Sequence, residues 1–141
     1  MQYRLGILGA GNMGQAIIRG AVQAGVMGAG EIIIAEPADD RRNAMAELGC
    51  AVTDTPRDLL QAEQLMFAVK PQKFVEVAQQ LGELPRSMVV ISIMAGIGSE
   101  RLRDQLGFDA RVIRVMPNLP SQIGQGMAAI SIGAGANTGD E

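Results

Sequence analysis

The sequence predicts an α/β fold, a doubly wound and mainly parallel sheet with helices on both faces. Three observations carry that expectation. Short apolar runs alternate with helix-like stretches along the chain, as they do where helices cover a parallel sheet. The first run is followed at once by Gly9-Ala10-Gly11-Asn12-Met13-Gly14, which opens the first helical stretch. The second run ends on Glu36, 22 residues beyond Gly14.

Tyr3 to Leu8 is the first strand. From Met13 onward Ile17, Ala21 and Ala24 recur at near-helical spacing, and Ile18 and Val22 widen the stripe. The glycines between Gly25 and Gly30 end this crossover helix. Glu31 to Ala35 holds three consecutive isoleucines, the composition of a strand buried on both faces. Asp39 to Leu48 reads as a second helix stopped by Gly49, with Asp39 and Asp40 complementing the dipole at its start. Ala51 to Thr53 is a short third strand. Thr55-Pro56-Arg57-Asp58 reads as the start of a short helix, with an N-cap hydroxyl, Pro at the first position and a carboxylate in the first turn.

Leu65 to Val69 is expected as a fourth strand closed by Lys70-Pro71, and Phe74 to Leu81 as a helix with Phe74, Val77, Ala78 and Leu81 on one face. Met88 to Ile93 is a fifth strand, Ala95 to Ser99 a turn, Glu100 to Leu106 a helix and Arg111 to Met116 a sixth strand. Pro117-Asn118-Leu119-Pro120 is expected as a non-helical turn, Met127 to Ile132 as a last strand and Gly133 to Glu141 as an unpatterned end. The nine methionines, Met45, Met66 and Met88 among them, read as core filler.

Composition removes several classes of function. The 141 residues suit one domain, and 48% hydrophobic against 19% charged residues suits a packed globule. A net charge of -3 gives no cationic excess for a phosphate backbone, and with no Trp, one Tyr and three Phe there is little surface for stacking bases. Nucleic acid is therefore not an expected partner. With no His, neither a Ser-His-Asp triad nor a His-ligated zinc site is available, and no metal site is expected. The lone Cys50 makes no internal disulfide and reads as a structural thiol in a reducing, cytoplasmic setting. No apolar stretch approaches the roughly 20 residues of a membrane span, so no membrane partner is expected.

The string Gly9 to Gly14 is G-x-G-x-x-G, weak alone in a chain with 18 glycines. Here it follows a strand, opens a helix and is trailed by an acidic residue at the end of the next strand, the conditions that make it a Rossmann dinucleotide fingerprint. Gly9 permits the tight turn, Gly11 lets backbone reach a pyrophosphate, and Gly14 lets the helix pack on the strand. A bare strand-to-helix turn is the alternative. Glu36 is placed to accept hydrogen bonds from the adenosine ribose, which tilts the expected cofactor, NAD(P)H, slightly toward NADH. Arg41 and Arg42 keep a 2′-phosphate open, or pair with Asp39, Asp40 or Glu47. Lys70 ends a buried strand at the edge where ligands bind, and either holds a dinucleotide or is a plain surface lysine.

Four segments occur in order and at strand ends, G-A-G-N-M-G-Q-A-I-I-R-G, A-V-K-P-Q, I-S-I-M-A-G-I and R-V-M-P-N-L-P. With them the chain resembles the amino-terminal half of pyrroline-5-carboxylate reductase, from Tyr3 to about Gly139. The resemblance implies reduction of 1-pyrroline-5-carboxylate, a small-molecule substrate, to L-proline by NADH or NADPH in proline biosynthesis. It also implies roles: Gly9, Ala10, Gly11, Asn12, Met13 and Gly14 around the pyrophosphate, Glu36 facing the ribose, Thr55 near the adenine. Ala68, Val69, Lys70 and Pro71 would line the dinucleotide, with Ile93, Met94, Ala95 and Asn118 at the nicotinamide end. Met94 and Leu119 stand where the family often has Ala and Thr.

In the family a helical carboxyl-terminal domain supplies the dimer interface and the substrate site. Residues 1–134 are accordingly expected as the dinucleotide-binding domain and residues 135–141 as the start of a link to that domain, the whole protein being a homodimer or larger homo-oligomer. No residue of this chain is expected as the catalytic acid, and the chain alone is expected to bind cofactor with little turnover. Two alternatives remain, a stand-alone dinucleotide-binding module without catalysis and the first domain of a 3-hydroxyacid-type dehydrogenase.

Overall fold

The computed structural model describes residues 2–85, 88–107 and 109–141. Seven strands among them form one sheet: β1 (Tyr3–Leu8), β2 (Ile32–Ala35), β3 (Ala51–Thr53), β4 (Ala62–Phe67), β5 (Val89–Ser92), β6 (Arg111–Pro117) and β7 (Ala128–Ile132). Their order is β3-β2-β1-β4-β5-β6-β7, parallel throughout except that β7 runs antiparallel to β6. The helices are α1 (Asn12–Gln23), α2 (Asp39–Glu47), α3 (Phe74–Leu81) and α4 (Ser99–Leu106). No helix of the described residues is long and apolar enough to cross a membrane.

Alternation along the strands divides the core into two layers. Leu8, Leu65, Phe67, Val90 and Val112 face α3 and α4, whereas Ile7, Ile32, Ile34 and Met66 face α1 and α2 through Ile18 and Met45. Phe67 and Phe74 meet edge to face with ring centroids 5.7 Å apart, and each fully buried side chain of this size contributes roughly 1.5–3 kcal/mol of transfer free energy. β2 is buried on both faces, as its isoleucines require.

Register sets the position of everything functional. Leu8 is level with Ala35 on one side and with Phe67 on the other. The chain therefore leaves β1, β2 and β4 at one height, at Gly9, Glu36 and Ala68. Because the order runs outward from β1 and β4 in opposite directions, this is also the switch point where doubly wound sheets open a crevice.

Several expectations are corrected. β4 covers Ala62–Phe67 in place of Leu65 to Val69. Glu63 and Gln64 interrupt the apolar run, but β1 templates pairing from Tyr3↔Ala62 onward, while Val69 and Lys70 turn away ahead of Pro71. Leu119–Ile123 forms a 3-10 turn although Pro117-Asn118-Leu119-Pro120 was expected to be non-helical. Pro120 lies in its first turn, where a missing N–H costs no bond, and Gly124, at φ +73°, ends it. The short helix from Pro56 is a 3-10 turn, Pro56–Gln61, and Thr55 does not cap it. The Thr55 hydroxyl donates instead to Asp54 Oδ1 at 3.0 Å. Met45, Met66 and Met88 are core residues, but Met116 and Met127 are exposed. The end of the chain is tethered: Gly133 N–H bonds the Val112 carbonyl, and Arg111 donates to Asp140 Oδ1 at 2.6 Å.

Cys50 is buried against the α1 and α2 layer. Burial pushes its thiol pKa up, and Arg19 opposes this only in part. A raised folded pKa keeps the neutral thiol, so its contribution to stability is intact below the unfolded thiol's pKa and is lost as pH rises through the folded one. Iodoacetamide at pH 8 is expected to alkylate the folded chain about tenfold or more slowly than the urea-unfolded chain. Equal rates would place Cys50 at the surface.

Candidate functional site

The three glycines of the fingerprint do different work. Gly9 has φ +92°, and a Cβ there would stand 3.0 Å from the Ala68 carbonyl oxygen. A Cβ on Gly14 would stand 2.9 Å from the carbonyl oxygen of Gly9. Both are required by the close fit of loop, helix and β4. Gly11 is different, with φ -70° and nothing within 4 Å of an added Cβ. The fold does not need a glycine there, and Gly11 lines the cleft described next.

Gly11 is also the N-cap of α1, so the helix starts with no side-chain cap and no acidic residue in its first turn. The first helical hydrogen bond is Gln15 N–H to the Gly11 carbonyl, which leaves the N–H groups of Asn12, Met13 and Gly14 ahead of it without intrahelical acceptors. The neighbouring donors are committed. Gly9 N–H bonds the Ala35 carbonyl at 2.9 Å, and Ala10 N–H bonds Glu36 Oε2 at 2.7 Å. An uncapped helix start beside an open glycine suits an anion.

The cleft has a volume of about 500 Å³. Its floor is Leu8, Gly9, Gly11 and Ala68 at the ends of β1 and β4, and one wall is Ala35, Glu36, Pro37 and Arg41 with Asp54 and Pro56. The opposite wall is Val69 and Lys70 followed by Lys73, Glu76, Val77 and Gln80 of the α3 segment. Lys73 pairs with Glu76 at 2.9 Å. Glu36 is only 3% exposed; its second oxygen accepts from Ala38 N–H at 2.9 Å, and Arg41, half-exposed, approaches at 3.9 Å. Arg42 is occupied elsewhere. It donates to the Glu36 carbonyl at 2.7 Å and the Pro37 carbonyl at 3.2 Å and pairs with Asp39. Of the two arginines, Arg41 faces the cleft.

Of the residues expected from sequence, Gly9, Gly11, Glu36, Ala68, Val69 and Lys70 come together in the cleft. Ala10, Asn12, Met13 and Gly14 complete the loop beside it. Thr55 is exposed between two cleft residues, and Pro71 begins the 3-10 turn leading into α3. Ile93, Met94, Ala95 and Asn118 end β5 and β6 at the same edge but outside the cleft. Met94 is 2% exposed, with its side chain in the α3/α4 layer. Its backbone is held at both ends, by Ser92 Oγ accepting from its N–H at 3.3 Å and by Arg114 donating to its carbonyl at 3.3 Å. Asn118 spends its carboxamide oxygen on Met127 N–H.

The sequence reading missed the wall made by Pro37, Asp54, Pro56, Lys73, Glu76, Val77 and Gln80. One signal was available: Lys73, Glu76 and Gln80 recur at helical spacing beside Val77 of the apolar stripe of α3, starting three residues after Lys70.

Comparison with known proteins bears on the family and the fold. The chain is 38% identical over 133 residues to a pyrroline-5-carboxylate reductase of Haemophilus influenzae, covering 92% of this chain and 49% of that protein. It superposes on a 1-pyrroline-5-carboxylate reductase of Streptococcus pyogenes with TM-score 0.81 and 32% identity, over 96% of this chain and 50% of the other. A Plasmodium falciparum pyrroline carboxylate reductase with NADP bound shares the fold, with TM-score 0.83 and 24% identity over 99% of this chain and 52% of that one. The chain spans about half the length of the curated relatives it matches. Residues 4–96 match the family model described as NADP oxidoreductase, coenzyme F420-dependent, and on that match, which takes in the glycine loop, the cleft floor and Lys70, the chain belongs to this family.

Proposed function

We propose that this chain is the dinucleotide-binding part of an oxidoreductase that reduces 1-pyrroline-5-carboxylate to L-proline with NAD(P)H. The observation that carries the reading is Gly11, a glycine the fold does not require, open to the cleft at an uncapped helix start. The relatives' names supply the substrate. The bound dinucleotide supplies hydride.

The residues fit such a group. Backbone N–H groups of Asn12, Met13 and Gly14 hold the pyrophosphate, and Pro56 and Val77 give apolar surface to the adenosine end. Lys70 and Arg41 add positive charge along the phosphates. Glu36 disfavours a 2′-phosphate, but Arg41 beside it offsets much of that charge, so the preference for NADH is small. Residues 93–95 and Asn118, on the same edge beyond the cleft, serve the nicotinamide end, with Ser92 and Arg114 fixing the backbone of Met94. Transfer needs donor and acceptor carbons about 3–3.5 Å apart; the relatives carry about as much chain again as this one, and on this reading that further chain would hold the second reactant. Residues 135–141 would lead toward that part, in a homodimeric, cytoplasmic enzyme of proline biosynthesis.

Calorimetric titration with NADH and NADPH at matched salt tests the reading. Both are expected to bind, NADH a few-fold tighter. A folded chain that binds neither removes it, and a strong preference for NADPH would assign Arg41 the larger influence.

A further inference from the structure

Glu36 holds a position from which an acidic residue addresses a ribose, yet its carboxylate is engaged in a different task. Oε2 accepts from Ala10 N–H at 2.7 Å and Oε1 from Ala38 N–H at 2.9 Å, with the side chain almost completely buried. Ala10 is the middle of the glycine loop and Ala38 is the N-cap of α2. One carboxylate thus ties together two backbone segments that leave the sheet on neighbouring strands. Charge-assisted bonds of this kind are about twice as strong as neutral ones; the bond to Ala10 is buried and the bond to Ala38 partly so.

The loop has few other restraints. Gln15 Nε2 donates to the Ala10 carbonyl at 2.9 Å, and Gly9 N–H bonds Ala35. A Cβ added at Gly11 would meet nothing within 4 Å. The direction in which the Asn12, Met13 and Gly14 N–H groups point thus depends on Ala10 as well as on the close fit of Gly14 against Gly9 and Ala68. We infer that Glu36 is a positioning residue, a latch that orients the glycine loop for a pyrophosphate, and that the ribose is not its main partner. The inference rests on the dinucleotide reading above and adds to it the task of one residue.

Glu36→Gln separates the possibilities. The amide keeps the size of the side chain but has one acceptor and one NH2, so it cannot satisfy both N–H donors and sets a donor against a donor. The 141-residue chain and the variant are titrated with NADH, NADPH, ADP and adenosine, with thermal melting as a check on folding. Loss of the latch is expected to weaken NADH, NADPH and ADP alike, about tenfold, and to leave adenosine, which lacks the pyrophosphate, unchanged. Adenosine weakened by the same factor as ADP overturns the inference in favour of direct ribose contact. A changed NADPH-to-NADH ratio without a common loss overturns it in favour of a charge selector.

Amide hydrogen exchange on the ligand-free chain gives a reading that does not depend on the variant folding. Ala10 and Ala38 are expected to be protected relative to Asn12 and Met13, and equal exchange of all four overturns the latch. Wild-type chain that binds neither ADP nor NADH takes down the dinucleotide reading and the role of the latch in it. Protection at Ala10 and Ala38 then distinguishes that failure from the absence of the latch itself.

Discussion

Gly11→Asp is expected to abolish dinucleotide binding while leaving the melting temperature unchanged or a few degrees higher. The two effects have opposite signs because the fold does not need a glycine at this position, whereas the proposed ligand does. Its φ of -70° suits any residue and an added Cβ meets nothing within 4 Å, so the change carries no strain. Gly11 is the N-cap of α1, and Asp is among the best N-cap residues: its carboxylate accepts from the first-turn N–H groups and complements the dipole, about 0.3–1 kcal/mol for the latter. Those are the donors proposed for the pyrophosphate. The variant would therefore satisfy them internally and place a negative charge where the phosphates go, a loss of about 100-fold or more in affinity. Calorimetry and thermal melting on one preparation give both numbers. Retained affinity would move the anion away from this helix start; a large fall in melting temperature would mean that Gly11 is a packing glycine after all.

Gly14→Val is expected to do the reverse, with stability failing first. The Cβ would stand 2.9 Å from the Gly9 carbonyl oxygen and 3.4 Å from the Ala68 Cβ. A backbone oxygen cannot rotate away as a side-chain end can, so the helix must lift from the loop. Overpacking of this kind costs typically 1–3 kcal/mol, out of a total of about 5–15 kcal/mol for a domain. For a chain of this size we expect a fall of about 10 °C in melting temperature, with loss of binding as a consequence of the displaced loop. An unchanged melting temperature would show that α1 does not approach β1 and β4 as closely as described.

The parts of the fold that were legible in the sequence are those whose pattern is local. β1, β3 and α3 begin and end where alternation, punctuation and helical spacing place them. The first residues of β4 were not legible, because Glu63 and Gln64 look like loop and the strand there is held by pairing with β1 and, from Gln64, with β5. The turn at Leu119 was hidden by its prolines. In the site, fixed spacing from the glycine string located Glu36, but its partners Ala10 and Ala38 are tertiary neighbours that no periodicity encodes. The wall from Lys73 to Gln80 was missed for the same reason. Its polar members, Lys73, Glu76 and Gln80, mark no cleft until α3 is set over the end of β4, beside Lys70.

The pairing of β1 with β4 has a consequence for assembly. Tyr3 lies opposite Ala62 and Leu8 opposite Phe67, so the centre of the sheet joins segments about sixty residues apart, with β2, α2 and β3 all in the intervening loop. Closing such a loop precedes any return from the contacts it allows, which makes this the slow junction of the molecule. Each bank of the crevice can form within its own half of the chain, but the crevice exists only after the halves have met. A ligand that spans it therefore rewards only the fully joined state, and saturating ligand should slow disassembly along that seam more than fraying at the outer strand β7.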